Sequence, residues 1–115
     1  MRRGEIRWVA LDGGADRAGK AQRPAVIVSN DGANAAAARR GAGVVTVVPL
    51  STSEAPAKPF QVAIPAGVGG LARDAKALAE QVRTIAASRV GPSIGALPLE
   101  YVRRLDEALK RHLAL

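Results

Sequence analysis

A mostly β domain with short helical additions is the class this sequence predicts, and three observations predict it. Charge-free runs rich in β-branched residues recur at strand length; Gly and Pro punctuate the chain between them; only the final stretch steps by three and four residues as a helix does. A chain of 115 residues can bury one modest core but not two, so residues 1–115 are expected to form a single domain.

Taken in order, "IRWVAL" (Ile6–Leu11) opens with alternation and suits a half-buried strand, while "AVIVS" (Ala25–Ser29) and "VVTVVPL" (Val44–Leu50) are β-branched runs of strand length. Asp12 to Gln22 joins the first two as a long Gly- and charge-rich loop, of the kind that carries function on a small scaffold. "NDGANAAAARRGAG" offers Asn or Asp as N-cap, an alanine turn and a glycine stop, so a short helix is predicted before the third strand. A polar loop, "STSEAPAK", then leads into "PFQVAI", a fourth short strand. "GLARDAKALAEQVRTIAASRV" is ambiguous: its composition favours helix, yet Leu78, Glu80, Val82 and Thr84 would share one face of a strand and Ala79, Gln81, Arg83 and Ile85 the other. After Pro98, the spacing of Leu99, Val102, Leu105, Leu109 and Leu113 predicts an amphipathic C-terminal helix, with Arg103, Arg104, Asp106, Glu107, Lys110 and Arg111 on its charged face.

Composition narrows the function. Hydrophobic residues make up 48% of the chain but aromatic ones only 3%, so the core must be aliphatic, with Trp8, Phe60 and Tyr101 as its only rings. Base stacking is then not expected as the main binding mode. A formal charge of +7 points to a polyanionic partner, nucleic acid first, against the plainer alternative of a solvated basic surface. Absent cysteines exclude disulfides and thiolate metal sites. With no apolar run long enough to span a membrane, and with Met1-Arg2-Arg3 followed at once by Gly4-Glu5, the chain is expected to be cytoplasmic and not membrane-bound.

"RRGEIRWVALD" with a Gly-rich loop, then "QRPAVIVSND", "VVTVVPLSTS…PFQV", "GLARDAKALAEQVRTI" and a final "LDEAL", in this order, closely resemble the MazF/PemK/Kid family of toxin endoribonucleases, the mRNA interferases of type II toxin–antitoxin systems. The resemblance spans essentially the whole chain. It implies an SH3-like antiparallel barrel of the CcdB/PemK type with short helices and a C-terminal helix, and it turns the ambiguous segment into strands around "LAEQVRTI". It also implies a homodimer with its RNA groove along the dimer interface, sequence-specific cleavage of single-stranded RNA with no metal or other cofactor, and a MazE-like antitoxin that covers the groove.

Cleavage without a metal uses the ribose 2′-hydroxyl as internal nucleophile and leaves a 2′,3′-cyclic phosphate and a 5′-hydroxyl. The protein must hold the linkage in line, neutralise charge on the phosphoryl oxygens and assist proton transfer. Arg23 is the first catalytic candidate, because its forked donors match phosphate oxygens and Pro24 stiffens the backbone beside it; the plainer alternative is an arginine snorkelling over the rim. The family's hydroxyl position after the third-strand proline falls on Ser51, with Thr52 kept as a contact because the register is open by one. Asp16 departs from the family's "GSE" loop pattern, which leaves its role as acid–base or contact group open; Lys20 and Arg17 on the same loop suit phosphate contacts. Gln22, Asn30, Gln81 and Arg83 complete the RNA-binding candidates, the amides able to pair with an unstacked base or merely to satisfy backbone.

His112 suits the dipole of the last helical turn better than it suits a ligand, a two-histidine ribonuclease mechanism cannot be built from one His, and the scattered Asp12, Asp16, Asp31 and Asp74 show no metal-ligand spacing. Two rivals stand beside the ribonuclease. One is a CcdB-like toxin that poisons gyrase through protein contact; the other is a basic relative that binds RNA without cutting it. The arginine of "QRP" together with the Ser/Thr loop favours cleavage over the gyrase poison, and loss of turnover in Arg23→Ala is what separates cleavage from binding alone.

Overall fold

A computed structural model describes residues 1–11, 22–52 and 54–115. Seven strands, β1 (Glu5–Ala10), β2 (Gln22–Ile27), β3 (Val44–Ser51), β4 (Gln61–Ile64), β5 (Ala75–Leu78), β6 (Arg83–Ala86) and β7 (Val90–Ala96), form an antiparallel sheet in the order β4-β5-β3-β2-β1-β7, with β6 also paired to β3. Two helices accompany it, α1 (Asp31–Arg40) and α2 (Leu99–Leu113). Mainly β with a C-terminal helix is therefore the observed class, as expected.

The strand runs are uncharged because both faces of the sheet are covered. Successive side chains alternate sides: Val26, Val48 and Leu50 join the core cluster that Leu105 and Ala108 of α2 close. Ala25, Ile27, Val45 and Val47 join a second cluster, which takes in Ala37 of α1. A strand buried on both sides shows no polar alternation, which is why "AVIVS" and "VVTVV" read as continuous apolar blocks.

Helix α1 forms where its caps dictate. Asn30 is the N-cap, its Oδ1 accepting the Ala33 N–H at 2.7 Å, and Gly41 ends the helix in the left-handed conformation at φ 63°. Beneath it Asn34 is fully buried: its Nδ2 donates to the Ser29 carbonyl at 2.9 Å, its Oδ1 accepts from Ser29 Oγ at 2.5 Å, and Ser29 Oγ in turn accepts the Thr46 N–H at 3.0 Å.

The ambiguous segment is extended but not one strand. β5 and β6 lie end to end along β3, Lys76 facing Ser51 and Arg83 facing Val47, and a 3₁₀ turn at Ala79–Gln81 interrupts the alternation drawn from the sequence. Strand pairing overrides the segment's helix propensity. β7 has no counterpart among the predicted elements, since "VGPSIGA" carries two glycines and a proline; Pro92 is tolerated because β7 is an edge strand.

Two expectations about packing are corrected. The rings do not fill the core: Tyr101 packs against it only half-buried, Phe60 is half-buried and Trp8 is 40% exposed, while the largest fully buried side chains are aliphatic apart from Asn34. In α2, Leu105 and Ala108 are buried, but Leu99 and Leu113 are exposed because the helix overhangs the sheet at both ends. Among the described residues no helix is long and apolar enough to cross a membrane.

Candidate active site

The β2–β3 ladder runs Ile27 to Val47, Val26 to Val48 and Ala25 to Pro49. Beyond that register Arg23 pairs with Val9 of β1 and Ser51 with Lys76 of β5, and both residues line one cleft. The Arg23 side chain is half-buried and donates from Nη2 to the Leu50 carbonyl at 3.1 Å. That bond steers the guanidinium across β3 and leaves most of its five donors without an acceptor among the described residues.

Arg23 and Ser51 open onto a cleft of about 590 Å³. Trp8 and Pro24, partners across β1 and β2, form one wall, and Leu50, Ser51 and Thr52 another. The opposite side is the segment Gly70–Arg73 with Ser93 and Ile94 of β7. Leu50, Leu71 and Ile94 make the lining largely apolar, whereas its charge is one-sided: it holds two arginines, Arg23 and Arg73, and no carboxylate among the described residues.

The walls are braced from behind. Asp74 accepts the Ala66 N–H at 2.8 Å, and the Gly67 N–H donates to the Leu71 carbonyl at 2.7 Å, so the loop carrying Arg73 is tied to itself. It also lies against β7 without side chains between them: a Cβ on Gly95 would run into the Gly69 carbonyl, and one on Gly70, at φ +83°, would sit 2.5 Å from the Ile94 carbonyl oxygen. Lys76, 8% exposed, donates from Nζ to the Ala55 carbonyl at 2.6 Å and so secures the chain that follows Ser51 and Thr52. On the far side, burial tends to raise the Glu5 carboxyl, but hydrogen bonds from the Ser93 hydroxyl and the Arg2 N–H, with the Arg7 guanidinium, hold it below its ordinary value.

Of the sequence-predicted residues, the cleft gathers Arg23, Ser51 and Thr52. Gln22 is exposed at the start of β2 beside β7 and does not line it. Gln81 and Arg83 are also elsewhere, partnered with each other through Arg83 Nε to the Gln81 carbonyl and Arg83 Nη2 to Gln81 Oε1, both at 3.4 Å. Asn30 does not line the cleft either, and its side-chain oxygen caps α1. Asp16, Arg17 and Lys20 lie outside the described residues. Trp8, Arg73 and Ser93 are the lining residues that sequence reasoning missed; for Arg73 the signal was the preceding Gly69–Gly70 pair, which marks a close backbone approach. No three His, Asp or Glu side chains come together among the described residues in a way that could hold a metal.

Residues 2–113 match the family model described as PemK-like, MazF-like toxin of type II toxin-antitoxin system. Over 115 residues the chain is 51% identical to Endoribonuclease MazF9 of Mycobacterium tuberculosis, covering all of this chain and 98% of that protein. A shorter match, 49% over 73 residues, is to the Probable endoribonuclease MazF1 of the same organism, covering 64% of this chain and 73% of that one. Among solved structures, a mycobacterial endoribonuclease in complex with its cognate antitoxin superposes with a TM-score of 0.75 at 23% identity, covering 100% of this chain and 96% of that one. MazF from a MazE–MazF crystal of Deinococcus radiodurans gives 0.73 at 21%, covering 100% and 96%.

Proposed function

The chain belongs to the PemK-like, MazF-like family of type II toxins and is an endoribonuclease by its whole-length likeness to one, and from that premise we propose that it cuts single-stranded RNA without a metal, at the Arg23–Ser51 end of the β2–β3 ladder. The observation that carries this reading is the cleft's charge pattern: a guanidinium held by the Leu50 carbonyl in one cleft with the Ser51 and Thr52 side chains, a second arginine, and no carboxylate among its described lining residues. Such a site attracts a phosphodiester and offers little to an acidic metal centre.

The step needs only the substrate's own nucleophile. The ribose 2′-oxygen bonds to the adjacent phosphorus, the bond to the 5′-oxygen breaks, and the products are a 2′,3′-cyclic phosphate and a 5′-hydroxyl. As the phosphorane forms, its equatorial oxygens gain negative charge, which the free donors of Arg23 meet bidentately in a partly dry cleft. Ser51, or Thr52 beside it, donates its hydroxyl hydrogen to a phosphoryl oxygen and helps to keep attacking and leaving oxygens in line. Asp16 is proposed as the group that takes the 2′-hydroxyl proton or contacts the RNA, and Lys20, Gln22, Asn30, Gln81 and Arg83 as contacts to RNA beyond the cleft. The unit acting in the cytoplasm is proposed to be a homodimer of this one domain, silenced by a MazE-like antitoxin that occupies the same basic cleft.

The test is to incubate purified protein with mixed RNA in EDTA and map the ends. Cleavage leaving 5′-hydroxyl ends is expected, and 5′-phosphate ends or no cleavage would overturn the mechanism. Arg23→Ala should lower kcat/KM by about 10²–10³ through loss of transition-state charge stabilisation, while RNA still binds; a non-catalytic binder or a gyrase-directed toxin would show no turnover to lose.

A further inference from the structure

We propose that Trp8 and Arg73 form a nucleotide subsite beside the scissile position, the indole stacking on one base and the guanidinium holding the phosphate next to it. The proposal rests on the ribonuclease reading for its ligand, single-stranded RNA, but its observations are separate. Trp8 is the only tryptophan of the chain and it is 40% exposed, although burying such a ring would stabilise the fold by several times what a small side chain contributes. It is held rigidly, since β1 is an interior strand paired to β2 on one side and β7 on the other, with Trp8 facing Pro24 in the register. Gly91 of β7 lies so close that an added Cβ would be 3.0 Å from the Trp8 carbonyl oxygen. A ring carried on a strand fixed in this way has no backbone freedom left to lose when a planar ligand covers it.

The neighbours specify that ligand. Trp8 and the catalytic guanidinium of Arg23 line the same cleft, from neighbouring positions of the β1–β2 ladder. Across the cleft, Arg73 is exposed and has no ion pair among the described residues, although Asp74 follows it directly in sequence; that carboxylate instead takes the Ala66 N–H. An apolar floor, one aromatic face and two cations without carboxylates complement a flat ring linked to two consecutive phosphates. Base discrimination at this subsite would come from stacking strength more than from hydrogen bonds, and so should be broad.

Three measurements test the proposal. The emission of Trp8, the sole indole, should be quenched when the wild-type protein is titrated with single-stranded 2′-O-methyl oligonucleotides, which cannot be cut. On the RNA that the protein cleaves, removing the base at one position next to the cut should lower wild-type kcat/KM by about tenfold or more. That penalty should vanish in Trp8→Leu and persist in Trp8→Phe, a pattern that loss of folding cannot imitate. Arg73→Ala should reduce the magnitude of the salt slope of binding by about 0.7, with Arg73→Lys restoring it. Unquenched emission, or a Trp8→Leu enzyme as sensitive to the missing base as wild type, would overturn the subsite while leaving the ribonuclease intact. Quenching by a protein that cuts nothing would retain the subsite and overturn the ribonuclease.

Discussion

The β2–β3 pair ends in two opposite ways. Beyond Ile27 it runs into the Ser29–Asn34–Thr46 network, where each buried polar group meets another within 3.0 Å. At the other end Arg23 makes one bond, to the Leu50 carbonyl, and lines a cleft together with Ser51. One ladder thus supports a closed polar knot and an open one. The contrast teaches that polar residues alone do not mark function: at the closed end they hold α1 onto the sheet, and at the open end the Arg23 guanidinium keeps donors to spare for a ligand, on the same rigid frame.

Substitution at the two ends should therefore give opposite results. Arg23→Ala, with the largest effect, abolishes most turnover and leaves the unfolding midpoint close to wild type; a matching fall in Tm would erase the distinction. Asn34→Ala removes a fully buried amide and strips a partner from half-buried Ser29, and should cost about 1–3 kcal/mol of stability, read by urea unfolding, with kcat/KM per folded molecule unchanged. Between Ser51→Ala and Thr52→Ala, the one that loses about tenfold in kcat identifies the hydroxyl that works with Arg23. Asn30→Ala should remove about 1 kcal/mol through the lost cap, read by urea unfolding. Smallest is an acid effect at Glu5. Because its carboxyl lies below its ordinary value when folded, the stability it contributes is complete at neutral pH and fades as pH falls through the carboxylate range. Glu5→Gln should accordingly narrow the gap between wild type and variant as the solution is acidified.

How much of this was legible in the sequence depended on how locally each feature is determined. α1 was readable because its caps, Asn30 and Gly41, lie within its own stretch, and β2 and β3 because burial on both faces leaves uninterrupted apolar runs. Arg23 and Ser51 were legible through the motif that carries the family resemblance. β7 was not, since it depends on the partner strand β1 and on a covering loop far away in sequence, and its own residues argue against a strand. Nor was the role of Trp8: Ile6 and Trp8 share a face, but Ile6 is fully buried against the α2 cluster while Trp8 extends past that cover. Arg73 reaches the same cleft through the β4–β5 connection, a route that no spacing along the chain discloses.

The glycine contact between the Gly69–Gly70 turn and β7 acts as a gauge block. Main chain touches main chain there, so the breadth of the opening between Ser93 and Arg73 is fixed by two backbones and not by any side chain that faces it. Gly95→Ala would work as a shim, shifting Arg73 relative to Arg23 while leaving all the chemistry of the lining in place. A graded series at that one position would therefore tune which nucleotides fit without altering a single group that touches them.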